Sequence, residues 1–85
     1  MEVNLAYYRL RDWKKFLKMI DDRDSVHDSW EDWHKSFLRT KHTLISKGFI
    51  VNDFIIDLDK LKVYCSNIGV KIDGKARSQF VSNIK

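Results

Sequence analysis

Residues 29–48, SWEDWHKSFLRTKHTLISKG, are the stretch that decides the fold. Their apolar side chains recur every three or four positions and form a stripe about 140° wide on a helical wheel. The stripe consists of Trp30, Trp33, Phe37, Leu38, Leu44 and Ile45. Ser29 can cap the start of a helix by accepting a backbone N–H of the first turn, and Gly48 can adopt the left-handed conformation that ends one. We therefore predict a helix over residues 29–47.

The segment after this helix, residues 49–56, reads FIVNDFII and is rich in β-branched and aromatic residues. This composition predicts a strand of up to eight residues. The alternative is a tight turn at Asn52-Asp53 that joins two very short strands. A strand needs partners for its backbone groups. The candidates are residues 3–8, the other half of such a hairpin, or a second copy of the chain.

Three further helices are predicted from apolar spacing and capping residues. The first covers residues 9–21, with a core face of Leu10, Trp13, Phe16, Leu17 and Ile20. The second covers residues 58–68, with Asp57 as its cap and a face of Leu58, Leu61, Cys65 and Ile68. The third covers residues 74–83, with Asp73 as its cap and a face of Ala76, Phe80 and Ile84. We expect a mainly α fold, a compact bundle of about four helices with one short strand or hairpin near 49–56.

Length and composition narrow the class of protein. Eighty-five residues suffice for one small domain, so we expect residues 1–85 to form a single one. The single cysteine excludes an internal disulfide framework and a cysteine-rich zinc site. The longest apolar runs are far below the roughly 18 residues that span a bilayer. These features favour a soluble protein of the cytoplasm that makes no contact with membranes.

Residues capable of catalysis or metal binding are poorly arranged. His27, His34 and His42 are seven and eight residues apart, not the four that place two ligands on one helix face. Cys65 falls on an apolar helix face, where a thiol acts as a small hydrophobe. Asp57 is explained by helix capping. We therefore expect no catalytic residue, no metal, no cofactor and no small-molecule substrate, and we interpret the chain as non-enzymatic.

The aromatic face of the 29–47 helix is the first candidate for a partner site. Aromatic residues make up 13% of the chain, and tryptophan is enriched where proteins bind one another most strongly. Lys41 interrupts the apolar stripe, so either its stem leaves the core or this part of the stripe faces a partner. The predicted partner-binding residues are Trp30, Trp33, Phe37 and Lys41, with a free strand edge as a further possibility. The partner would be another protein or a second copy in a homodimer.

Binding of nucleic acid through the basic C-terminal third is the alternative. The net charge is +4, and residues 58–85 carry six Lys or Arg against two Asp or Glu, so the whole surplus lies there. A local positive excess attracts phosphate backbones. In this hypothesis the phosphate contacts are Lys71, Lys75 and Arg77. The helix, short connection and helix of this region only partly match a helix-turn-helix unit.

Overall fold

Four α-helices pack around a two-stranded parallel sheet in the computed structural model, which describes residues 1–83. In chain order the elements are β1 (Glu2–Tyr7), α1 (Trp13–Met19), α2 (Trp30–Ser46), β2 (Ile50–Ile55), α3 (Leu58–Ile68) and α4 (Gly74–Ser82). Short 3-10 turns at Leu10–Asp12 and Arg23–Ser25 precede α1 and α2. The prediction of a mainly helical fold with a minor β element is confirmed.

The two strands pair side by side from Glu2 opposite Ile50 to Tyr7 opposite Ile55. Parallel neighbours require a long crossover connection, and residues 8–49, with α1 and α2, provide it. Of the three candidate partners for the predicted strand, the N-terminal segment is therefore the one that pairs with it. The alternative turn at residues 52–53 does not form, because both residues lie within β2.

The sheet lies between two layers of helices. Successive side chains of a strand point to opposite faces. On one face the ring of Tyr7 lies 5.3 Å from the ring of Phe37 in α2. On the other face the side-chain amide of Asn4 donates to the carbonyl of Val81 in α4, at 3.4 Å. The most deeply buried large side chains are Phe16, Ile56, Leu61 and Cys65.

Capping residues set the ends of α2, α3 and α4 within one residue of the predicted limits. The Ser29 hydroxyl accepts the N–H of Asp32 at 3.2 Å. The side chain of Asp57 accepts two N–H groups of the first turn of α3, and that of Asp73 accepts one from α4. Gly48 and Gly69, which follow α2 and α3, have φ angles of 91° and 70°, in the left-handed region. These caps confirm the predicted helix ends.

The predicted first helix, residues 9–21, is wrong at both ends. Residues 10–12 form a 3-10 turn, and the α-helix begins only at Trp13 and stops at Met19. Arg9 binds Asp12 through its Nε atom at 2.8 Å, which closes the turn. Leu10, predicted to lie in the core, is 58% exposed because this turn points it outward.

Of four other positions on the predicted apolar faces, three are not buried. Leu38 and Ile45 of α2 and Ile68 of α3 are each about half exposed. A two-stranded sheet is too narrow to cover the whole apolar stripe of a helix as long as α2, and Phe37 is the residue of that stripe that is buried. In α4, Val81 is buried and Phe80 packs half-buried against Tyr64. The fourth predicted position, Ile84, lies outside the described residues.

Candidate protein-binding edges of the sheet

The predicted aromatic partner site is largely turned toward the rest of the chain. Phe37 is buried, while Trp30 and Trp33 are half-buried and pack against the core. The indole ring of Trp33 lies 5.3 Å from the ring of Tyr8 and 5.7 Å from that of Trp13. The indole N–H of Trp30 donates to the Tyr8 carbonyl at 2.7 Å. The structure thus brings these aromatic residues together, but chiefly as packing between α2, α1 and β1.

Lys41, the fourth predicted partner residue, makes an ion pair with β2. Its ammonium lies 2.7 Å from a carboxylate oxygen of Asp53, and each side chain is about one-third exposed. The stem crosses from α2 to the sheet, which explains a lysine within an otherwise apolar stripe. Lys41 consequently marks the side of α2 that lies next to β2.

The three cations of the predicted phosphate site differ in exposure. Lys71 and Lys75 are exposed. The Arg77 side chain is only 11% exposed, and its two terminal nitrogens bind the carboxylate of Asp22 at 2.7 and 2.9 Å. Its guanidinium carbon also lies 5.5 Å from the centroid of the Phe16 ring. Arg77 therefore joins α4 to the segment after α1 through Asp22, and its role as a phosphate contact stays a prediction.

Asp21 and Asp22 form a clamp that the sequence analysis missed. Asp22 accepts the N–H of Gly74 as well as the guanidinium of Arg77. Asp21 accepts the N–H of Ile72 on its side chain at 2.7 Å and donates its own N–H to the Ile72 carbonyl. The hydrogen bonds from Arg77 lower the pKa of Asp22. The clamp ties the segment after α1 to the start of α4, which forms one wall of the groove described below.

Cys65 is enclosed in the core, and His34 packs against an indole ring. Cys65 is 1% exposed, and burial raises the pKa of its thiol. His34 stacks on Trp30, with ring centroids 4.4 Å apart. No group of three His, Cys, Asp or Glu residues in positions 1–83 is placed to hold a metal ion.

Among residues 1–83, neither outer edge of the two-stranded sheet has a further strand beside it. The Ile50 N–H donates to the Met1 carbonyl, and the Ile56 N–H donates to the Tyr7 carbonyl. In a parallel ladder, each residue directs its N–H and its C=O group to the same side of the strand. These two bonds therefore show that the backbone groups of the odd residues of β1 point toward β2, and that those of the even residues point away from it. The N–H and C=O groups of Asn4 and Ala6 therefore point away from β2. No hydrogen bond between backbone groups of residues 1–83 uses them.

The outer edge of β1 opens into a groove of about 340 Å³, called here the β1 groove. Asn4 and Ala6 line it at the strand edge. Trp33 and Val26 line it with apolar surface, and Ser78 and Ser82 of α4 line it with hydroxyl groups. The volume falls within the range of about 300–1,000 Å³ typical of binding pockets. Of the predicted partner residues, Trp33 is the one that lines this groove.

Two further findings concern membrane-spanning helices and similarity to known proteins. None of the helices within residues 1–83 combines the length and the apolar character that crossing a membrane requires. The chain matches no model of a known protein family, and comparison with curated proteins and with solved structures finds no similar protein.

Proposed function

We propose that this chain is a non-enzymatic binding module that takes up an extended segment of another protein along the outer edge of β1. The supporting observation is the coincidence of an unpaired strand edge with a preformed groove at Asn4 and Ala6. An extended segment placed there would pair with the free N–H and C=O groups and add a third strand to the sheet. Strand addition is a general mode of peptide recognition in which the main chain supplies affinity.

The walls of the β1 groove suggest the character of the bound segment. Trp33 and Val26 provide apolar surface, whereas Ser78 and Ser82 provide hydroxyl groups. The charge of Arg77 at the groove is balanced by Asp22. Because side chains of a strand alternate between faces, a segment with alternating apolar and uncharged polar residues fits best. We therefore expect the fit of side chains into the groove, and not the net charge of the segment, to determine which segments bind.

Binding of such a segment would stabilise the two-stranded sheet. Two strands alone are marginal in water, and an exposed edge is a template for further pairing. The chain has no proline with which to block the β1 edge. The cytoplasm remains the proposed location, since the one cysteine is buried and calls for no oxidising compartment.

The test selects ligands from a phage-displayed library of random peptides against the whole chain. We expect the enriched peptides to have alternating apolar and polar side chains and to slow hydrogen exchange at the amides of Asn4 and Ala6. Ala6→Pro should weaken their binding about tenfold or more, because it removes an outward N–H without touching the ladder to β2. Val51→Pro, at an outward position of β2, is the matched control and should bind normally.

A second pair of variants distinguishes a specific loss of peptide binding from a general loss of folding. Ser78→Phe should fill the groove and weaken the selected peptides, whereas Ser66→Phe, on the exposed side of α3, should not. The proposal fails if no peptide is enriched, or if the enriched peptides bind both groove variants as tightly as the wild type.

Binding of nucleic acid is tested separately from binding of peptides. Labelled single-stranded and duplex DNA are titrated at low ionic strength. Binding that weakens steeply with salt and is lost in Lys71→Gln/Lys75→Gln would support the basic C-terminal third as the site and contradict the groove. Our proposal expects no such retention, because Arg77 is held by Asp22.

A further inference from the structure

The outer edge of β2 is the second unpaired edge of the sheet. The phase set by the ladder turns the N–H and C=O groups of Val51, Asp53 and Ile55 away from β1. No backbone-to-backbone hydrogen bond within the described chain uses them. We infer that a second copy of this chain covers this edge, pairing β2 with β2 in an antiparallel arrangement and forming a four-stranded sheet.

Exposed apolar side chains gather around this edge. Ile50 and Ile55 of β2 are 58% and 60% exposed. Lys41 reaches Asp53, and Leu38 and Ile45 lie three residues before and four residues after Lys41, on the same side of α2. They too are about half exposed. We call Leu38, Ile45 and Ile55, which lie on the α2 side of the sheet, the β2 patch, whereas Ile50 points to the opposite face. Patches of this kind beside an open edge mark association surfaces.

Charge does not oppose this association. Lys41 and Asp53 form an ion pair within each copy, so they add no net charge to the edge that meets the second copy. Opposite residues of an antiparallel pair have their side chains on the same face of the sheet, so the two-fold axis must pass beside a residue and not between two residues. Two such registers pair most of β2. One is centred on Asn52 and the other on Asp53. Centring on Asp53 sets two carboxylates directly opposite each other, which is unfavourable.

The register centred on Asn52 is therefore the one we infer. It places Val51 opposite Asp53 of the second copy and Ile50 opposite its Phe54, while Asn52 faces its own counterpart. The carboxylates are kept apart, and the apolar ends of the strands meet. The β1 edges stay at the outside of the four-stranded sheet, so this association and the β1 groove are independent.

Sedimentation equilibrium of the whole chain at micromolar concentrations tests the association. We expect a dimer. The double variant Ile45→Lys/Ile55→Lys should weaken it at least about tenfold in Kd while leaving the circular dichroism spectrum unchanged, because both side chains are exposed. Val63→Lys, an equally exposed position on α3, is the matched control. A monomeric wild type, or a dimer that survives the double variant, overturns the inference.

Cross-linking tests the register separately. Asn52→Cys should form a disulfide-linked dimer on mild oxidation, because residues on the two-fold axis at a non-hydrogen-bonded site have Cα atoms about 4.5 Å apart. Asn4→Cys, which lies opposite Asn52 on β1, should not. Equal cross-linking of the two variants, or none for Asn52→Cys, contradicts pairing through β2. Peptide selection on the β1 groove is unaffected by either result.

Discussion

At the scale of single residues, the ion pair between Asp22 and Arg77 connects two segments 55 positions apart. Both side chains are mostly withdrawn from water, and the carboxylate receives three hydrogen bonds, two from Arg77 and one from Gly74. Breaking one side of such a pair leaves the other charge without compensation. The start of α4, and with it one wall of the β1 groove, depends on this contact.

Asp22→Asn should lower the free energy of unfolding by about 3 kcal/mol at neutral pH. The lowered pKa of Asp22 means that its contribution is complete above the unfolded value of about 3.9 and disappears as the pH falls through the folded value. Urea titrations at neutral and acidic pH should show the gap to the wild type closing in acid. Asp24→Asn, on an exposed neighbour, is the control, and a gap that persists in acid would contradict the assignment.

Tyr8 provides the corresponding test in alkali. Burial raises its pKa to about 12, and the positive charge of Arg77 opposes the rise. An unfolded tyrosine loses its proton near pH 10, so the folded chain holds one more proton between these values and its stability falls as pH rises. Tyr8→Phe should remove this fall, as followed by chemical unfolding between about pH 9 and 12. A wild type whose stability is flat over this range would exclude the shift.

At the scale of elements, α2 is limited by a serine at one end and a glycine at the other. Gly48 has a φ of 91°, and nothing lies within 4 Å of the position that a Cβ atom would occupy. The glycine is therefore required for backbone conformation and not for space. At Gly74, the first residue of α4, φ is not positive and an added Cβ would make only ordinary contacts, the nearest at 3.7 Å.

Alanine at these two glycines should have opposite effects. Gly48→Ala should destabilise the fold by about 1 kcal/mol because alanine is strained at positive φ. Gly74→Ala should stabilise it by about 0.5 kcal/mol, since alanine loses less backbone entropy in a helix. Thermal unfolding of the two variants measures both signs. Equal effects would mean that the backbone at residue 48 is not in the left-handed region.

At the scale of the whole molecule, the deepest part of the core can report on global unfolding. Cys65 is 1% exposed, and its thiol pKa is raised by burial. Its reaction with a thiol reagent should therefore require opening of the fold and proceed at the unfolding-limited rate. Hydrogen exchange of the amides of α3 should give the same opening free energy. Rapid labelling under native conditions would show that the core opens locally.

The limits of three helices and the presence of a strand near residue 50 followed from local chemistry. A serine or aspartate cap binds N–H groups only two or three residues away, and a glycine stop acts at one φ angle, so both are legible in a short stretch. The same is true of the burial of Cys65 and the apolar spacing around it. Such features depend little on where the rest of the chain lies.

The candidate binding edges became visible only when distant segments were brought together. Which strand pairs with β2, and which backbone groups then face outward, depends on residues 48 positions apart in the chain. The half-exposed state of Leu38 and Ile45 depends on the width of the sheet that α2 covers, and the role of Arg77 depends on Asp22. Periodicity specifies that a face is apolar, but packing against a finite partner determines how much of that face is left for another molecule.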